Sequence, residues 1–314
     1  MCFCKKTLCF LLFCFLHATL FAKCLKDLYP VDFIKDMQCS KIFDVAFAEK
    51  NTSWILCKQL YDTCMATQYD DHEKTRIPET FHLIWLGSAV PQGYFDLQDQ
   101  IKKFHPHATV KLWTDQKAKT YPMINRIAFD QSINYGEKSD IWRYEILYNE
   151  GGVYLDGDFE MLQSFQPLLM ACDLFAGINY AKDFELANGL IGSIAHHPIL
   201  FFAINDLDEH IDRTNQDAMS IIHRTGPIHF TKSFLKGQNQ SPQLKNLPLP
   251  SCFFYAWPNY ERLNTDKDAI QKFIKPHSLA LHKWHCSWIQ RQKAPAPKKK
   301  SITRPKTNTL PAQK

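Results

Sequence analysis

The chain has 314 residues, of which 45% are hydrophobic and 22% are charged, and its formal net charge is +5. These values are typical of a globular protein and exclude a wholly disordered chain. Residues 291–314 contain eight Lys and Arg residues and no acid. Subtracting these eight charges from +5 leaves −3 for residues 1–290, so overall basicity does not indicate a nucleic-acid partner and we predict none. The basic tail is predicted to be disordered and solvated, and contact with anionic lipid or glycan is the less favoured alternative.

Residues 1–22 are predicted to be a signal peptide or a membrane anchor. Lys5 and Lys6 precede an apolar run over residues 7–22. This run has the length of a signal-peptide core and is marginal for spanning a hydrocarbon layer of about 30 Å. We therefore expect an exported or membrane-associated protein, in a secretory pathway, a cell envelope or a host cell, with membrane association through this segment.

Residues 23–76 are predicted to form a small helical region that contains Cys24, Cys39, Cys57 and Cys64. Four cysteines so close together in an exported chain suggest two disulfide bonds. Reduced, buried thiols are the alternative. We place the start of the main domain at residue 77 and its end at residue 290.

The first part of the main domain has a β-α-β rhythm. Strand candidates at 81–86 and 108–113 enclose a helix candidate at 94–104. This order predicts a layered α/β fold with a largely parallel sheet. A further helix candidate, 137–149, ends at a Gly-Gly pair. The later strand candidates are 174–178, 190–194, 253–256 and 279–282, and the later helix candidates are 199–206 and 217–223.

The segment that is most informative about function is a short apolar strand, 153–155, that ends in Asp156 and Asp158. Carboxylates one residue apart point to the same side of an extended backbone and repel each other. Mg²⁺ or Mn²⁺ relieves this repulsion and also binds substrate phosphates. We therefore predict a metal-assisted enzyme that acts on a diphosphate. The alternative is a turn rich in Asp and Gly.

Asp140 and Arg143 are three residues apart on the preceding helix candidate and so share a face. We predict that Arg143 meets phosphate or sugar and that Asp140 accepts sugar hydroxyls. The alternative is a weak surface ion pair.

Three further residues are candidates for a ligand contact or a structural role. Trp85, at the end of the first strand candidate, either stacks on a nucleobase or fills the core, and the sequence alone favours the core. Asn188 is first a turn signal, and His197 before Pro198 is predicted to begin a helix.

A third group of polar and aromatic residues follows the last strand candidate, from His282 to Trp288. One of its His or Ser side chains is expected to complete the metal shell or to close over the ligand. A zinc site from His282, His285 and Cys286 is conceivable, but the spacing matches no common zinc pattern. A packed aromatic C-terminal strand is the alternative.

Taken together, the motifs resemble the Asp-x-Asp sugar-transferase family over residues 77–290. That family includes yeast-type α-1,6-mannosyltransferases, α-1,4-galactosyltransferases and bacterial capsule glycosyltransferases, and more distantly the glucosylating clostridial toxins. The resemblance rests on motifs that occur in the family's order: Ile77-Pro78, residues 81–87, Ser139-Asp140-x-x-Arg143-Tyr144, Gly151 to Asp158, Asn188-Gly189, His197-Pro198 and Ser287-Trp288.

The resemblance implies a GT-A-like α/β fold with one nucleotide-sugar-binding domain. It implies retaining transfer of a hexose from a UDP- or GDP-linked donor to a glycan or protein acceptor, with Mn²⁺ or Mg²⁺ as cofactor. The implied catalytic residues are Asp140, Arg143, Asp156 and Asp158. The implied substrate-binding residues are Trp85, Tyr154, Asn188, Ser287 and Trp288, and the implied metal ligands are Asp156, Asp158 and Ser287. Gly157 departs from the family, which often has a larger residue there, and its flexibility is expected to loosen the metal site.

Two other functions fit parts of the pattern. A haloacid-dehalogenase-type phosphatase also places Asp-x-Asp after an apolar strand, with the first Asp as nucleophile, but it expects Thr or Val where this chain has Phe159. A non-catalytic module that binds nucleotide sugar or glycan would use the same residues without turnover.

Overall fold

The computed structural model describes residues 22–70, 72–179, 183–208 and 210–286. The predicted leader up to residue 21, the implied site residues Ser287 and Trp288, and the basic tail lie outside these ranges. Among the described residues, none of the helices has the length and apolar character needed to cross a membrane.

The described residues form an α/β structure. Strands β1 to β10 span Ala22–Cys24, Gln68–Asp70, Thr80–Ile84, Thr109–Trp113, Gly152–Leu155, Phe159–Met161, Leu174–Ile178, Leu186–Ser193, Asn246–Leu249 and Ala280–His282. Helices α1 to α13 span Leu25–Leu28, Phe33–Met37, Val45–Ala48, Thr52–Met65, Gln92–Phe104, Asp115–Ala118, Arg126–Gln131, Tyr135–Glu150, Gln166–Ala171, Pro198–Asn205, Ala218–Arg224, Pro227–Gln240 and Lys267–Gln271. Two 3₁₀ turns span Ser251–Phe253 and Asn259–Glu261.

The central sheet has six strands in the order β4-β3-β5-β8-β7-β9. Strands β4, β3 and β5 are parallel, β8 is antiparallel to both of its neighbours, and β7 and β9 are parallel. All residues of β5, β7, β8 and β9 are buried, as expected for strands that helices cover. The predicted α/β fold with a mostly parallel central sheet is therefore confirmed.

The Gly151-Gly152 pair places β5 in the middle of this sheet. Gly151 ends α8 with φ 66°, and Gly152 has φ 104°. Both angles lie in the region that favours glycine. A Cβ atom on Gly152 would lie 2.3 Å from the carbonyl oxygen of Thr80, the first residue of β3. The sharp reversal after α8 thus requires glycine, and it sends β5 alongside β3.

One predicted strand is not present in the structure. Residues 253–256 do not form a sheet strand; a 3₁₀ turn occupies 251–253, and Tyr255 makes one isolated bridge with Leu281. The strand lies earlier, at β9, where Pro248 hid it from the sequence pattern. Proline lacks the N–H that a central strand needs, and β9 tolerates it because it is an edge of the sheet.

A short antiparallel ribbon lies beside the main sheet and was also missed. Strand β6 pairs with β10, and His282 is opposite Phe159. The predicted C-terminal strand thus exists, but its partner is only three residues long. Such a short strand leaves no clear alternation of polar and apolar residues in the sequence.

The N-terminal helices pack on the main domain and share its hydrophobic core. The thiol of Cys64 in α4 lies 3.5 Å from the carbonyl oxygen of Asn246 in β9, and Trp54 packs edge-on against Phe184. The suggested pair of disulfide bonds is wrong for this structure, because Cys24, Cys39, Cys57 and Cys64 are all free thiols. The alternative of reduced, buried thiols holds for Cys57 and Cys64, whereas Cys24 is half-buried and Cys39 is exposed. The domain boundaries proposed from the sequence stay a prediction.

His197 begins α10, as predicted, and holds it to β9. Its Nδ1 accepts a hydrogen bond from the backbone N–H of Ile199 at 3.1 Å, and its Nε2 lies 2.8 Å from Oδ1 of Asn246. Since Nδ1 is an acceptor, Nε2 carries the proton and the ring is neutral. Burial lowers the pKa of His197 to about 4, although the bond to Asn246 acts in the opposite direction.

We predict that His197 makes the protein less stable in acid. An unfolded histidine takes up a proton near pH 6.5, whereas the folded ring stays neutral until about pH 4. Its contribution is therefore fully present above pH 6.5 and declines by about 3 kcal/mol as the pH falls to 4. The free energy of unfolding of His197→Asn, measured against pH by urea denaturation, should fall less steeply than that of the wild type. His107→Asn, at an exposed histidine, is the control, and equal slopes for wild type and His197→Asn would contradict the assignment.

Candidate active site

Asp156 and Asp158 converge with His282 at the carboxyl end of β5. Oδ1 of Asp158 lies 3.0 Å from Nε2 of His282, and Oδ2 of Asp156 lies 3.9 Å from the same nitrogen. One ligand atom from each of the three residues lies within 4.8 Å of the others. The backbone N–H of Asp156 donates to the carbonyl of Gly189 in β8 at 2.8 Å, and a Cβ on Gly189 would lie 2.8 Å from Oδ2 of Asp156.

The sequence placed His282 in a segment from which one residue was expected to complete the metal shell, but the metal ligand implied there was Ser287 and not His282. The ribbon of β6 and β10 brings it there, because His282 is opposite Phe159 and therefore next to Asp158. The backbone N–H of Lys283 also donates to the carbonyl of Asp158 at 3.0 Å. Nδ1 of His282 is buried and has no hydrogen-bond partner among the described residues. The sequence did show a strand candidate that ends in His282. Only the pairing of that strand with β6, however, shows that His282 lies next to Asp158.

The two carboxylates have different electrostatic surroundings. Burial raises the pKa of Asp156, and the nearby charge of Asp158 acts in the same direction, while Arg143 opposes both. Burial would also raise the pKa of Asp158, but His282 and the backbone N–H of His285, at 2.8 Å, hold it well below its usual range. Asp158 is therefore ionised over the whole physiological range. Two carboxylates and the imidazole Nε2 of His282, with the side chain of Asp156 32% exposed, form a donor set that fits a divalent cation.

Arg143 joins the two acidic parts of the site. Its Nη2 lies 3.0 Å from Oδ1 of Asp140 and 3.4 Å from Oδ1 of Asp156, and its Nη1 donates to the carbonyl of Asn188 at 2.7 Å. The guanidinium also lies 4.4 Å from the ring centre of Tyr154. Asp140 and Arg143 are both buried. The alternative of a surface ion pair is thus wrong, because the helix face that they share faces β5 and β8.

A buried hydrogen-bond network holds Asp140. Oδ1 accepts from the side-chain amide of Asn188 at 2.9 Å, and Oδ2 accepts from the hydroxyl of Thr225 at 3.0 Å. Burial raises the pKa of Asp140 to about 6, against the positive charge of Arg143. The hydroxyl of Tyr144 accepts from the same amide at 2.9 Å and donates to the carbonyl of Thr225 at 2.7 Å. Asn188 is therefore more than a turn residue, because it holds Asp140. The contacts of Thr225 with Asp140 and of Tyr144 with Asn188 were not predicted from the sequence.

An ion-pair triad next to this network fixes the position of Thr225. Glu137, in the first turn of α8, is fully buried between Nη1 of Arg213 at 2.6 Å and Nε of Arg224 at 3.0 Å. Because Arg224 directly precedes Thr225, the triad holds the end of α11 against α8. It thereby keeps the hydroxyl of Thr225 on the Asp140 carboxylate.

Tyr154 donates from its hydroxyl to Oδ1 of Asp156 at 2.6 Å, so this implied substrate-binding residue holds a carboxylate in the structure. Trp85 lies directly after β3 and is half-buried rather than part of the core. Its ring contacts Tyr94 edge-on, with 5.2 Å between the ring centres. A Cβ on Gly157 would lie 2.0 Å from the Tyr94 ring. The ring of Tyr94 thus fills the space beside Gly157, and it links Trp85 to the Asp156-Asp158 turn.

The implied residues Ser287 and Trp288 lie outside the described residues, so their roles stay predictions. The preceding residues do approach the site, since the N–H of His285 donates to Asp158. The conceivable zinc trio does not form as a unit among the described residues, because His282 groups with the aspartates instead of with His285 and Cys286.

Part of this region matches the model of a described family. Residues 91–174, which include Asp140, Arg143, Asp156 and Asp158, match the family described as "Glycosyltransferase sugar-binding region containing DXD motif". The resemblance to the Asp-x-Asp sugar transferases is confirmed.

The similar curated proteins include two yeast enzymes. Inositol phosphoceramide mannosyltransferase 2 of Schizosaccharomyces pombe is 26% identical over 182 residues, which cover 57% of this chain and 50% of that protein. Mannosyl phosphorylinositol ceramide synthase SUR1 of Saccharomyces cerevisiae is 23% identical over 216 residues, which cover 66% and 49%. The chain spans about half the length of these curated relatives. Among solved structures, the PaToxG glycosyltransferase is 17% identical with a TM-score of 0.45, over 73% of this chain and 86% of that one.

We predict that Gly157→Ala destabilises the protein through Tyr94. Gly157 is not in the left-handed backbone region, so alanine fits the backbone and the collision with the Tyr94 ring is the cause. The expected loss is about 1 to 3 kcal/mol, typical of overpacking. In a Tyr94→Ala background, Gly157→Ala should lower the free energy of unfolding only slightly, because the colliding ring is gone. The measurement is a double-mutant cycle by chemical denaturation.

Gly93→Ala is the matched control, since a Cβ at that position in α5 meets nothing within 4 Å. An equal loss of stability in Gly93→Ala, or no coupling between Gly157 and Tyr94, would show that the ring does not constrain the turn.

Proposed function

We propose that this protein is a metal-dependent glycosyltransferase that moves a hexose from a UDP- or GDP-linked donor to an acceptor hydroxyl. The observation that carries the proposal is the convergence of Asp156, Asp158 and His282 within 4.8 Å at the carboxyl end of a central strand. In open α/β sheets, ligands bind outside the carboxyl ends of the strands. The family match over residues 91–174, which include Asp156 and Asp158, supports the reaction class.

Asp156, Asp158 and His282 are the proposed metal-binding residues, with Ser287 as a further ligand from the C-terminal segment. A cation bound there would offset the negative charge of the departing nucleoside diphosphate. The imidazole favours Mn²⁺ over Mg²⁺, because Mg²⁺ prefers oxygen ligands and retains water. Asp156 is the more accessible carboxylate, with 32% of its side chain exposed, against 14% for Asp158.

Arg143 and Asp140 have donor and acceptor capacity left for a sugar. The guanidinium has five N–H donors, and its contacts with Ser139, Asn188, Asp140 and Asp156 use four of them. Of the roughly four acceptor sites on the Asp140 carboxylate, Arg143, Asn188 and Thr225 use three. We propose that the remaining acceptor takes a hydroxyl of the donor sugar, and that Arg143 mainly positions the two carboxylates.

We propose that transfer retains the anomeric configuration and occurs on the front face of the sugar. Oδ1 of Asp156 is already engaged by Tyr154 and Arg143, and Oδ2 lies beside His282 in the proposed metal site, which makes this carboxylate a poor covalent nucleophile. This point also weighs against the phosphatase alternative, which needs the first Asp as nucleophile. In the front-face reaction, the leaving phosphate accepts the proton of the acceptor hydroxyl, and the protein contributes orientation and charge stabilisation.

Mannose is the first sugar to test, because both yeast relatives are named for mannosyl transfer to an inositol phosphoceramide. For this chain the acceptor is proposed only as a glycan, a protein or a lipid-linked sugar alcohol. Trp85 is the proposed contact of the donor base, since it is half-exposed at the end of β3. We also propose that residues 1–22 bring the enzyme into a secretory compartment or to a membrane.

The function is tested by donor hydrolysis and transfer. The purified protein is incubated with Mn²⁺ and with UDP- and GDP-linked hexoses in turn, and release of nucleoside diphosphate is measured. We expect turnover of one donor class, and NMR of the transferred sugar should show the anomeric configuration of the donor. Tight donor binding without any turnover would support the non-catalytic module instead. Release of phosphate from simple esters would support the phosphatase.

We predict that Asp158→Asn abolishes metal-dependent transfer and leaves the fold intact. The substitution keeps the shape of the side chain but removes a charge that His282 and His285 stabilise. Loss of several kcal/mol of charge stabilisation lowers kcat by at least about 100-fold. Glu160→Gln is the control, because Glu160 lies two residues away and pairs with Lys283 instead. Full activity of Asp158→Asn, or of the wild type in excess EDTA, would refute the metal assignment.

A further inference from the structure

A second group of metal-ligand side chains lies where the N-terminal region meets the main domain. One carboxylate oxygen of Asp36 and the Sγ atoms of Cys39 and Cys252 all lie within 4.8 Å of one another. None of these residues belongs to the site around Asp156. The sequence grouped Cys39 with the other N-terminal cysteines, whereas the structure places it beside a cysteine about 210 residues further along the chain.

Two segments that are distant in sequence build this cluster. Asp36 lies near the end of α2, Cys39 lies in the turn that follows, and Cys252 lies in the 3₁₀ turn 251–253. The hydroxyl of Ser278 donates to the carbonyl of Cys252 at 2.6 Å, and the thiol of Cys252 lies 4.0 Å from the carbonyl of Asp36. Asp36 and Cys252 are buried, while Cys39 is exposed. The cluster is thus built on packed segments and open to solvent at one corner.

One oxygen of the Asp36 carboxylate lacks a hydrogen-bond partner among the described residues. The residue is only 6% exposed, and its Oδ1 lies 2.9 Å from Nε2 of His277. Its Oδ2 is buried and has no hydrogen-bond partner among the described residues. A buried carboxylate oxygen without a partner is unfavourable, and proteins usually pair such groups or use them to bind a metal. A cation between this carboxylate and the two sulfurs would supply the partner.

We propose that Asp36, Cys39 and Cys252 bind a Zn²⁺ ion that fastens the N-terminal region to the main domain. Two thiolates and one carboxylate match the ligands of zinc, and a water molecule at the exposed corner would complete a tetrahedral shell. Tetrahedral zinc needs its ligand atoms about 3.6 Å apart, so the cluster has to contract slightly from its upper limit of 4.8 Å. His277 orients the carboxylate from outside, an arrangement common at zinc sites. Binding releases the two thiol protons to solvent.

A disulfide bond between the same cysteines is the competing state. It would oxidise both thiols, and it would leave Oδ2 of Asp36 buried without a partner. Cys39 is a free thiol in the structure. The environment of Asp36 therefore favours the cation. The zinc proposal does not depend on the proposed glycosyltransferase function, because the two sites share no residue.

The test uses the full chain, with the other candidate metal site and the cysteine near it altered by substitution. Asp158→Asn and Cys286→Ser form the background, so that the Asp156 site and its neighbouring cysteine cannot account for binding. The reduced protein is loaded with ZnCl₂, and separately with CoCl₂. Zinc content is measured by elemental mass spectrometry, and cobalt binding is followed by the absorption band that thiolate ligands produce.

We expect one zinc ion per chain, a cobalt–thiolate band, and a lower melting temperature after chelation. Asp36→Asn and Cys39→Ser in this background should each weaken zinc affinity by at least 10-fold. Cys39 is exposed, so Cys39→Ser tests the ligand without disturbing the core. Cys24→Ser is the matched control and should bind like the background. Cobalt binding without a thiolate band, unchanged affinity of Cys39→Ser, or a Cys39–Cys252 disulfide with no zinc uptake after reduction would each overturn the proposal.

Discussion

The site depends on one buried guanidinium. Arg143 contacts Asp140 on its own helix, Asp156 at the end of β5 and the backbone of Asn188 in β8. Three elements of the fold therefore meet at a single charge. Without it, two buried or half-buried carboxylates would face each other, and the cost of an uncompensated buried charge is several kcal/mol. The position of α8 over the sheet and the geometry of the Asp-x-Asp turn both follow from this contact.

The same contact explains why the two aspartates of the motif differ. Asp156 is held by Arg143 and Tyr154, while Asp158 is held by His282 and the backbone of His285. One carboxylate is thus tied to the helical layer and the other to the C-terminal ribbon. Any movement of the ribbon or of the residues after it would act on the Asp158 side of the site first. The arrangement couples the residues that follow β10 to the Asp158 carboxylate through a short chain of contacts.

Much of the fold around Asp156 could be predicted from the sequence, because these features depend on residues that are close together in the chain. The apolar strand before Asp156, the Gly-Gly stop and the helix of Asp140 and Arg143 are all contiguous features, and the structure has them. What failed was long-range pairing. His282 reaches the aspartates only through β6, a strand of three residues, and Thr225 reaches Asp140 only because the Glu137 triad holds α11 in place. Nor did the sequence reveal β9, where Pro248 breaks the usual strand pattern. The burial of the Asp140–Arg143 pair was likewise invisible, because spacing on a helix does not say which face is covered.

The absence of a side chain at Gly189 has a wider meaning. A Cβ atom on Gly189 in β8 would lie 2.8 Å from Oδ2 of Asp156, so the missing side chain leaves the space that this oxygen occupies. The position of the Asp156 carboxylate is therefore limited from the neighbouring strand, by a residue that has no side chain of its own. Any side chain at position 189 would push Oδ2 of Asp156 away from β8, and so would change the spacing of the two aspartates without replacing either of them.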